Sequence, residues 1–142
     1  MTDRVTVAQR SRMMAAVRGV NTLPEIFVRK RLHAAGFRYR LHAGGLSGKP
    51  DIVLPRFRTV VFVHGCFWHG HSCPRGKRPT SNLKFWNTKI DGNIRRDRRN
   101  RASLRATGWK PVVIWQCALE RGVSALIKRL QVLDASAHAS PE

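Results

Sequence analysis

The chain has 142 residues, and its 27 Lys and Arg oppose 8 Asp and Glu, a formal charge of +19. With 42% hydrophobic residues and no long low-complexity block, that charge rides on a folded body of about one domain's size. A disordered basic tail is excluded, and a polyanion is the expected partner. No apolar run approaches the roughly 20 residues of a membrane helix, and Met1 to Arg4 lead into no signal-like stretch, so a cytoplasmic protein without membrane contact is expected. Cys66, Cys73 and Cys117 are odd in number and suit a metal site better than disulfides.

In chain order, Thr6 to Arg18 predicts a short helix that Gly19 ends. Thr22-Leu23-Pro24-Glu25 reads as a capping box opening a helix over 23–35, with Val28, Leu32 and Ala35 on one face and Gly36 after it. Phe37, Tyr39 and Leu41 alternate with Arg38, Arg40 and His42, the period of a strand with one buried and one basic face. A glycine-rich loop, 43–49, follows.

Asp51 to Leu54, a turn at 55–58 and Thr59 to Val63 predict a hairpin buried on both faces at the centre of a sheet. Hydrophobic patterning stops from His64 to Pro74. A basic loop then leads into a polar helix over about 82–107, whose loose apolar side carries Phe85, Ile90, Ile94 and Leu104. Trp109 to Trp115 predicts a third buried strand, and Ala118 to Leu133 a last helix with Val123, Leu126, Ile127 and Leu130 on one stripe. Residues 134–142 are expected to form a disordered tail. The order αβββαβα implies one α/β domain over 1–142, a mixed central sheet flanked by helices.

Cys66-Phe67-Trp68-His69-Gly70-His71-Ser72-Cys73 places two thiols and two imidazoles in eight residues. Three thiolates and one histidine compose the usual closed shell of structural zinc. A Cys-x4-His-x-Cys loop can wrap one ion, so His71 is the expected fourth ligand beside Cys66, Cys73 and Cys117. The competing reading is three buried cysteines acting as small hydrophobes.

The carboxylates sort almost by elimination. Asp3, Glu142, Asp134 and Glu120 lie at ends or borders, and Asp91 and Asp97 are assigned to arginines at helical spacing. Asp51 opens an apolar strand, a costly place for a charge unless a divalent ion neutralises it; the alternative is a strand-end residue bonding nearby amides. Glu25 is explained by the capping box, and a second role is compatible with that. With His71 on zinc, His69 is free to act as general base, and His64 can bond a phosphate or developing charge. Phe67 and Trp68 cannot both enter one core from a polar loop: either they wedge between base pairs or they form a small satellite core.

Arg10-Ser11-x-x-Met14, Pro50-Asp51, the block from His64 to Cys73, Phe85-Trp86, Asp97-Arg98-Arg99, Gly108-Trp109 and Trp115-x-Cys117-Ala118-Leu119 resemble the very short patch repair (Vsr) DNA mismatch endonucleases over about residues 8 to 120. The resemblance implies a restriction-endonuclease-like core that nicks one strand 5′ of the thymine in T:G mismatches arising from 5-methylcytosine deamination. It implies Asp51 and the Val63 backbone carbonyl as magnesium ligands, His69 as base, and His64 and Glu25 in support. Zinc would be held by Cys66, His71, Cys73 and Cys117, and Met14, Phe67 and Trp68 would form the wedge, Met14 on a DNA-contacting segment at 1–20. The acidic-x-Lys element of ordinary restriction-like nucleases is replaced by Phe62-Val63-His64, with histidine in the lysine's place. The implied context is a bacterial monomer, at the nucleoid when acting, with other mismatch-repair proteins as possible partners. Competing functions are a restriction-type nuclease on paired DNA, a non-catalytic zinc-stabilised DNA-binding module, and an RNA-associated basic protein.

Overall fold

A computed structural model describes residues 22–42 and 44–139. The helix expected over 6–18, and Met14 with it, lies outside the described residues. Helix α1 (Leu23–Ala34) starts as its sequence dictates: Thr22 Oγ1 accepts from the Glu25 N–H at 3.3 Å, with Pro24 in the first turn. The Glu25 carboxylate, however, is directed to Arg29 and His42. At the other end Gly36 takes φ 87°, and the Phe37 N–H reaches back to the Leu32 carbonyl at 3.1 Å. That closure seats Phe37 beside Leu32 in the core.

Four strands form one mixed sheet in the order β1 (Arg40–Leu41), β2 (Ile52–Leu54), β3 (Thr59–His64), β4 (Lys110–Trp115). The first three are antiparallel, and β4 runs parallel to β3. Helices α2 (Leu83–Ala106) and α3 (Leu119–Ala139) complete the described fold. Alternation along the central strands fills two cores. Ile52, Leu54, Val61 and Ile114 pack with Val28 and Leu32 of α1 and Val123, Leu126 and Leu130 of α3. Val53, Val60 and Phe62 face the other way, onto Leu104 of α2. Each such side chain contributes roughly 1.5–3 kcal/mol, so the β2–β3 hairpin, buried on both faces, is strongly fixed among the described residues.

Three expectations are corrected. The strand predicted over 37–42 shortens to Arg40–Leu41, with Leu41 38% exposed, because Phe37 is used in terminating α1. β4 lies at the sheet's described edge and buries Ile114 alone, so it is half-buried rather than a third interior strand. Helix α3 continues beyond Leu133 to Ala139, its alanine-rich end favouring helix and Asp134 pairing with Arg56 at 2.6 Å. That places residues 134–139 of the expected tail in helix.

Register positions the chemistry. Leu41 opposes Ile52, so His42 arrives beside Asp51, and its N–H donates to the Asp51 carbonyl at 3.1 Å. His64 pairs with Trp115 in the parallel ladder, so both strands end at the same edge and the residues two further on, Cys66 and Cys117, meet there.

Candidate active site and metal centre

Cys66, His71, Cys73 and Cys117 each offer one atom within 4.8 Å of the others. Tetrahedral zinc with Zn–S bonds of about 2.3 Å separates its ligand atoms by about 3.8 Å, so this set could hold the ion after small adjustments. The loop closes through His71 N–H to the Cys66 carbonyl at 3.0 Å and Gly76 N–H to the Cys73 carbonyl at 2.9 Å. The His71 ring stacks on Trp115, centroids 4.1 Å apart, and its Nδ1 lies 3.5 Å from Cys117 Sγ. Burial pushes the Cys66 thiol up to about 11. Burial also acts to raise the Cys73 thiol, but hydrogen bonds with His71, Cys66 and Cys117 outweigh it and bring Cys73 down to about 6. One thiolate is thus favoured near neutral pH, and a cation would ionise the rest.

Gly76 sits where any side chain collides: a Cβ there would lie 1.9 Å from the His71 carbonyl oxygen. Gly76→Ala is therefore expected to destabilise the protein by more than about 3 kcal/mol. Denaturant unfolding with parallel metal analysis measures this, and a loss below about 1 kcal/mol would show that the loop adjusts freely.

A second cluster surrounds Asp51. Its Oδ2 accepts from the Val63 N–H at 2.7 Å, and its carboxylate, the Glu25 carboxylate and a ring nitrogen of His42 lie within 4.8 Å of one another. Glu25 is 1% exposed and is held by Arg29 and by His42 Nε2 at 3.0 Å. Burial lifts the Asp51 carboxyl to about 6; the Val63 N–H opposes that shift, the Glu25 charge adds to it, and His42 and His69 moderate it. A buried carboxylate with a raised pKa, beside a second buried carboxylate, suits a hard divalent cation, which takes few carboxylates and keeps its waters.

The third cluster continues from β3. His64 follows Val63, is 5% exposed and stacks face to face on His69, centroids 3.7 Å apart. Burial, then repulsion from His69, holds His64 down to about 3, so it is a neutral imidazole at physiological pH. Its Nδ1 is buried with no partner among the described residues. His69 Nδ1 meets Asp97 Oδ2 at 2.7 Å. Burial acts to raise Asp97, but the His69 hydrogen bond and the charges of His69, His64 and Arg101 hold it below the usual carboxylate range.

Two helical assignments are corrected here. Asp97 hydrogen-bonds His69, with Arg101 of its own helix contributing through charge alone, because α2 turns it toward the His64–Cys73 loop. Asp91 bonds Arg78 from the preceding loop at 2.8 Å, and the same guanidinium bonds Asn87. The carboxylate fixes His69 with Nδ1–H toward Asp97 and leaves Nε2 able to accept a proton.

Phe67 and Trp68 belong to an aromatic cluster with Phe85 and Trp86 of α2. Ring centroids lie 5.1 Å apart for Phe67–Trp68, 5.3 Å for Phe67–Trp86 and 5.0 Å for Phe85–Trp86. Phe67 is half-buried, whereas Trp68 and Phe85 are 48% and 59% exposed. The cluster is at once a satellite core and an open apolar face. Gly70, at φ +64°, presses the loop onto Ile90 and Ile94 of α2, and Asn93 Nδ2 donates to the Trp68 carbonyl at 2.9 Å.

Residues 2–75 match the family described as DNA mismatch endonuclease Vsr. The chain is 50% identical over 137 residues, 96% of its length and all of the relative, to the type II nicking enzyme V.XorIIP of Xanthomonas oryzae pv. oryzae. The chain belongs to the Vsr family of DNA mismatch endonucleases. It is 48% identical over 120 residues to the type II nicking enzyme V.NmeAIP of Neisseria meningitidis serogroup A, covering 84% of this chain and 86% of that protein. To the DNA mismatch endonuclease Vsr of Escherichia coli it is 39% identical over 119 residues, 84% of this chain and 76% of that one. The chain is therefore a DNA endonuclease. Among its described residues, no helix is long and apolar enough to cross a membrane.

His42 and Asp97 are the members of these clusters to which the sequence alone assigns no site role. Asp97 had a signal in the Asp97-Arg98-Arg99 match, but His42 was read as one member of an alternating basic face.

Proposed function

We propose that this Vsr-family endonuclease nicks one DNA strand 5′ of the mispaired thymine of a T:G mismatch, the product of 5-methylcytosine deamination, by Mg²⁺-dependent hydrolysis on a restriction-endonuclease-like core. The observation that carries the reading is the junction at the end of β3. There Asp51 bonds the Val63 N–H, and the next residue, His64, stacks on a His69 fixed by Asp97.

Asp51 and the Val63 carbonyl would hold the magnesium ion, with Glu25 beside them; the carboxylate pair and the raised Asp51 pKa fit a hard cation. When bound, Mg²⁺ offsets the negative charge that builds on the phosphate during attack. His69 Nε2 takes the proton of the attacking water as its oxygen bonds to phosphorus and the bond to the leaving oxygen breaks. Asp97 stabilises the imidazolium so formed. Neutral His64 donates to a phosphate oxygen, giving its buried ring a partner that the described residues do not supply.

Structural zinc on Cys66, His71, Cys73 and Cys117 would fix the loop that carries His69, Phe67 and Trp68. The two aromatics, with Met14 from the N-terminal segment, wedge beside the mismatch, where a weakly stacked wobble pair costs less to open. Arg95, Arg96, Arg98, Arg99 and Arg101 of α2 supply phosphate contacts, and binding should weaken steeply with salt. The names of V.XorIIP and V.NmeAIP, type II nicking enzymes, support cleavage of a single strand. The enzyme is read as a monomer of the bacterial cytoplasm, at the nucleoid when acting, alongside other mismatch-repair proteins.

Incubation with Mg²⁺ and end-labelled duplexes carrying T:G or the corresponding fully paired steps tests the proposal. A nick only in the thymine strand of the mismatch is expected. Equal cleavage of paired DNA would favour a restriction-type nuclease, and salt-sensitive binding without product a non-catalytic module.

A further inference from the structure

His42 touches every component of the Asp51 cluster, yet the mechanism gives it no task. It stands at the end of β1 with φ +46°, a left-handed conformation uncommon for a residue with a side chain. Its backbone N–H donates to the Asp51 carbonyl at 3.1 Å, and its ring Nε2 reaches the Glu25 carboxylate at 3.0 Å. Arg29 also holds Glu25, from one turn further along α1. Asp51 belongs to the sheet. His42 ties helix α1 to the strand end carrying Asp51, through its ring at one end and its backbone N–H at the other.

We propose that His42 is a positioning residue of the nuclease site, its ring N–H holding the buried Glu25 carboxylate in register with Asp51. The inference rests on the proposed role of Asp51 as cation ligand. Its physical basis is the support that hydrogen-bonded partners give to metal-binding carboxylates, whose loss commonly costs about 10–100-fold in metal affinity or activity. A side chain at this position must tolerate the left-handed backbone and reach Glu25 with a donor. Histidine does both here.

Full-length His42→Asn and His42→Gln separate reach from backbone strain. Asparagine accepts left-handed φ readily but is too short to reach Glu25, whereas glutamine extends an N–H donor about as far as the imidazole. The readouts are Mn²⁺ binding to the DNA-free protein by electron paramagnetic resonance, the Mg²⁺ dependence of single-turnover nicking, DNA affinity and Tm. His42→Asn is expected to weaken Mn²⁺ binding and raise the Mg²⁺ midpoint about 10-fold or more, with DNA affinity unchanged, and His42→Gln to restore most of both. Wild-type Mn²⁺ and Mg²⁺ dependence in His42→Asn would overturn the inference. So would equal impairment of both variants with matching losses of Tm, since that marks a merely structural role. Full activity of Asp51→Ala in the same assay would instead overturn the underlying assignment of the cation site.

Discussion

Asp51→Asn is expected to abolish nicking and, at the same time, to raise the thermal stability of the metal-free protein. Burial lifts the Asp51 carboxyl from 3.8 to about 6, so in the absence of a cation its ionised form opposes folding. Because the folded value lies above the unfolded one, that cost is absent below pH about 4, grows through the interval and is complete above pH about 6. At about 1.4 kcal/mol per pKa unit the upper bound is about 3 kcal/mol, and a gain of about 1–3 kcal/mol, several degrees in Tm for a chain of this size, is expected at pH 7.5. Asparagine keeps an oxygen for the Val63 N–H and replaces the second carboxylate oxygen by a neutral NH2 donor of about the same size. Thermal melts of both proteins at pH 4 and pH 7.5, after chelation, measure the effect: the advantage of Asn should shrink toward zero at the lower pH. Nicking should fall at least about 10³-fold. A destabilised variant would mean that another group on the chain neutralises the carboxylate.

Cys117→Ala should have the second large effect. Cys117 is exposed, so the substitution opens no cavity in the sheet cores, and a stability loss that chelation of the wild type reproduces reports on the metal. Wild type is expected to carry one zinc per chain and the variant close to none, because three ligands on one loop no longer connect to the end of β4. The sheet, with separate cores on its two faces, should remain folded. The 65–76 loop should lose protection from hydrogen exchange, and nicking should fall more than about 10²-fold, since His69 and Trp68 lie on that loop. Elemental analysis with hydrogen exchange checks both parts, and a variant that retained stoichiometric zinc would show that Cys117 is not a ligand.

What was legible in the sequence is what short-range physics determines. The cap at Thr22, the β2–β3 hairpin and the stripe on the last helix follow from local spacing and two-sided burial, and the observed elements fall on them. Cys117 follows from being the remaining thiol and from the Trp115-x-Cys117 match; the parallel register of His64 with Trp115 supplies the physical reason it reaches Cys66. Asp97 was misread because its partner, 28 residues away, competes with arginines that helical spacing makes visible. His42 was hidden for a different reason. The alternation of 37–42 implied a regular strand, whereas the closure of α1 at Phe37 and the left-handed turn at 42 break it and swing the ring toward Glu25.

Anomalous diffraction from crystals soaked in Mn²⁺ tests most directly whether the carboxylate at the start of β2 holds the cation. The ion is expected about 2.1 Å from an Asp51 oxygen, with the Val63 carbonyl also in contact and His69 turned toward it by Asp97. An ion bound instead among His64, His69 and Asp97, with Asp51 left on the Val63 N–H, would contradict both the hydrolytic assignment and the division of labour among the three clusters.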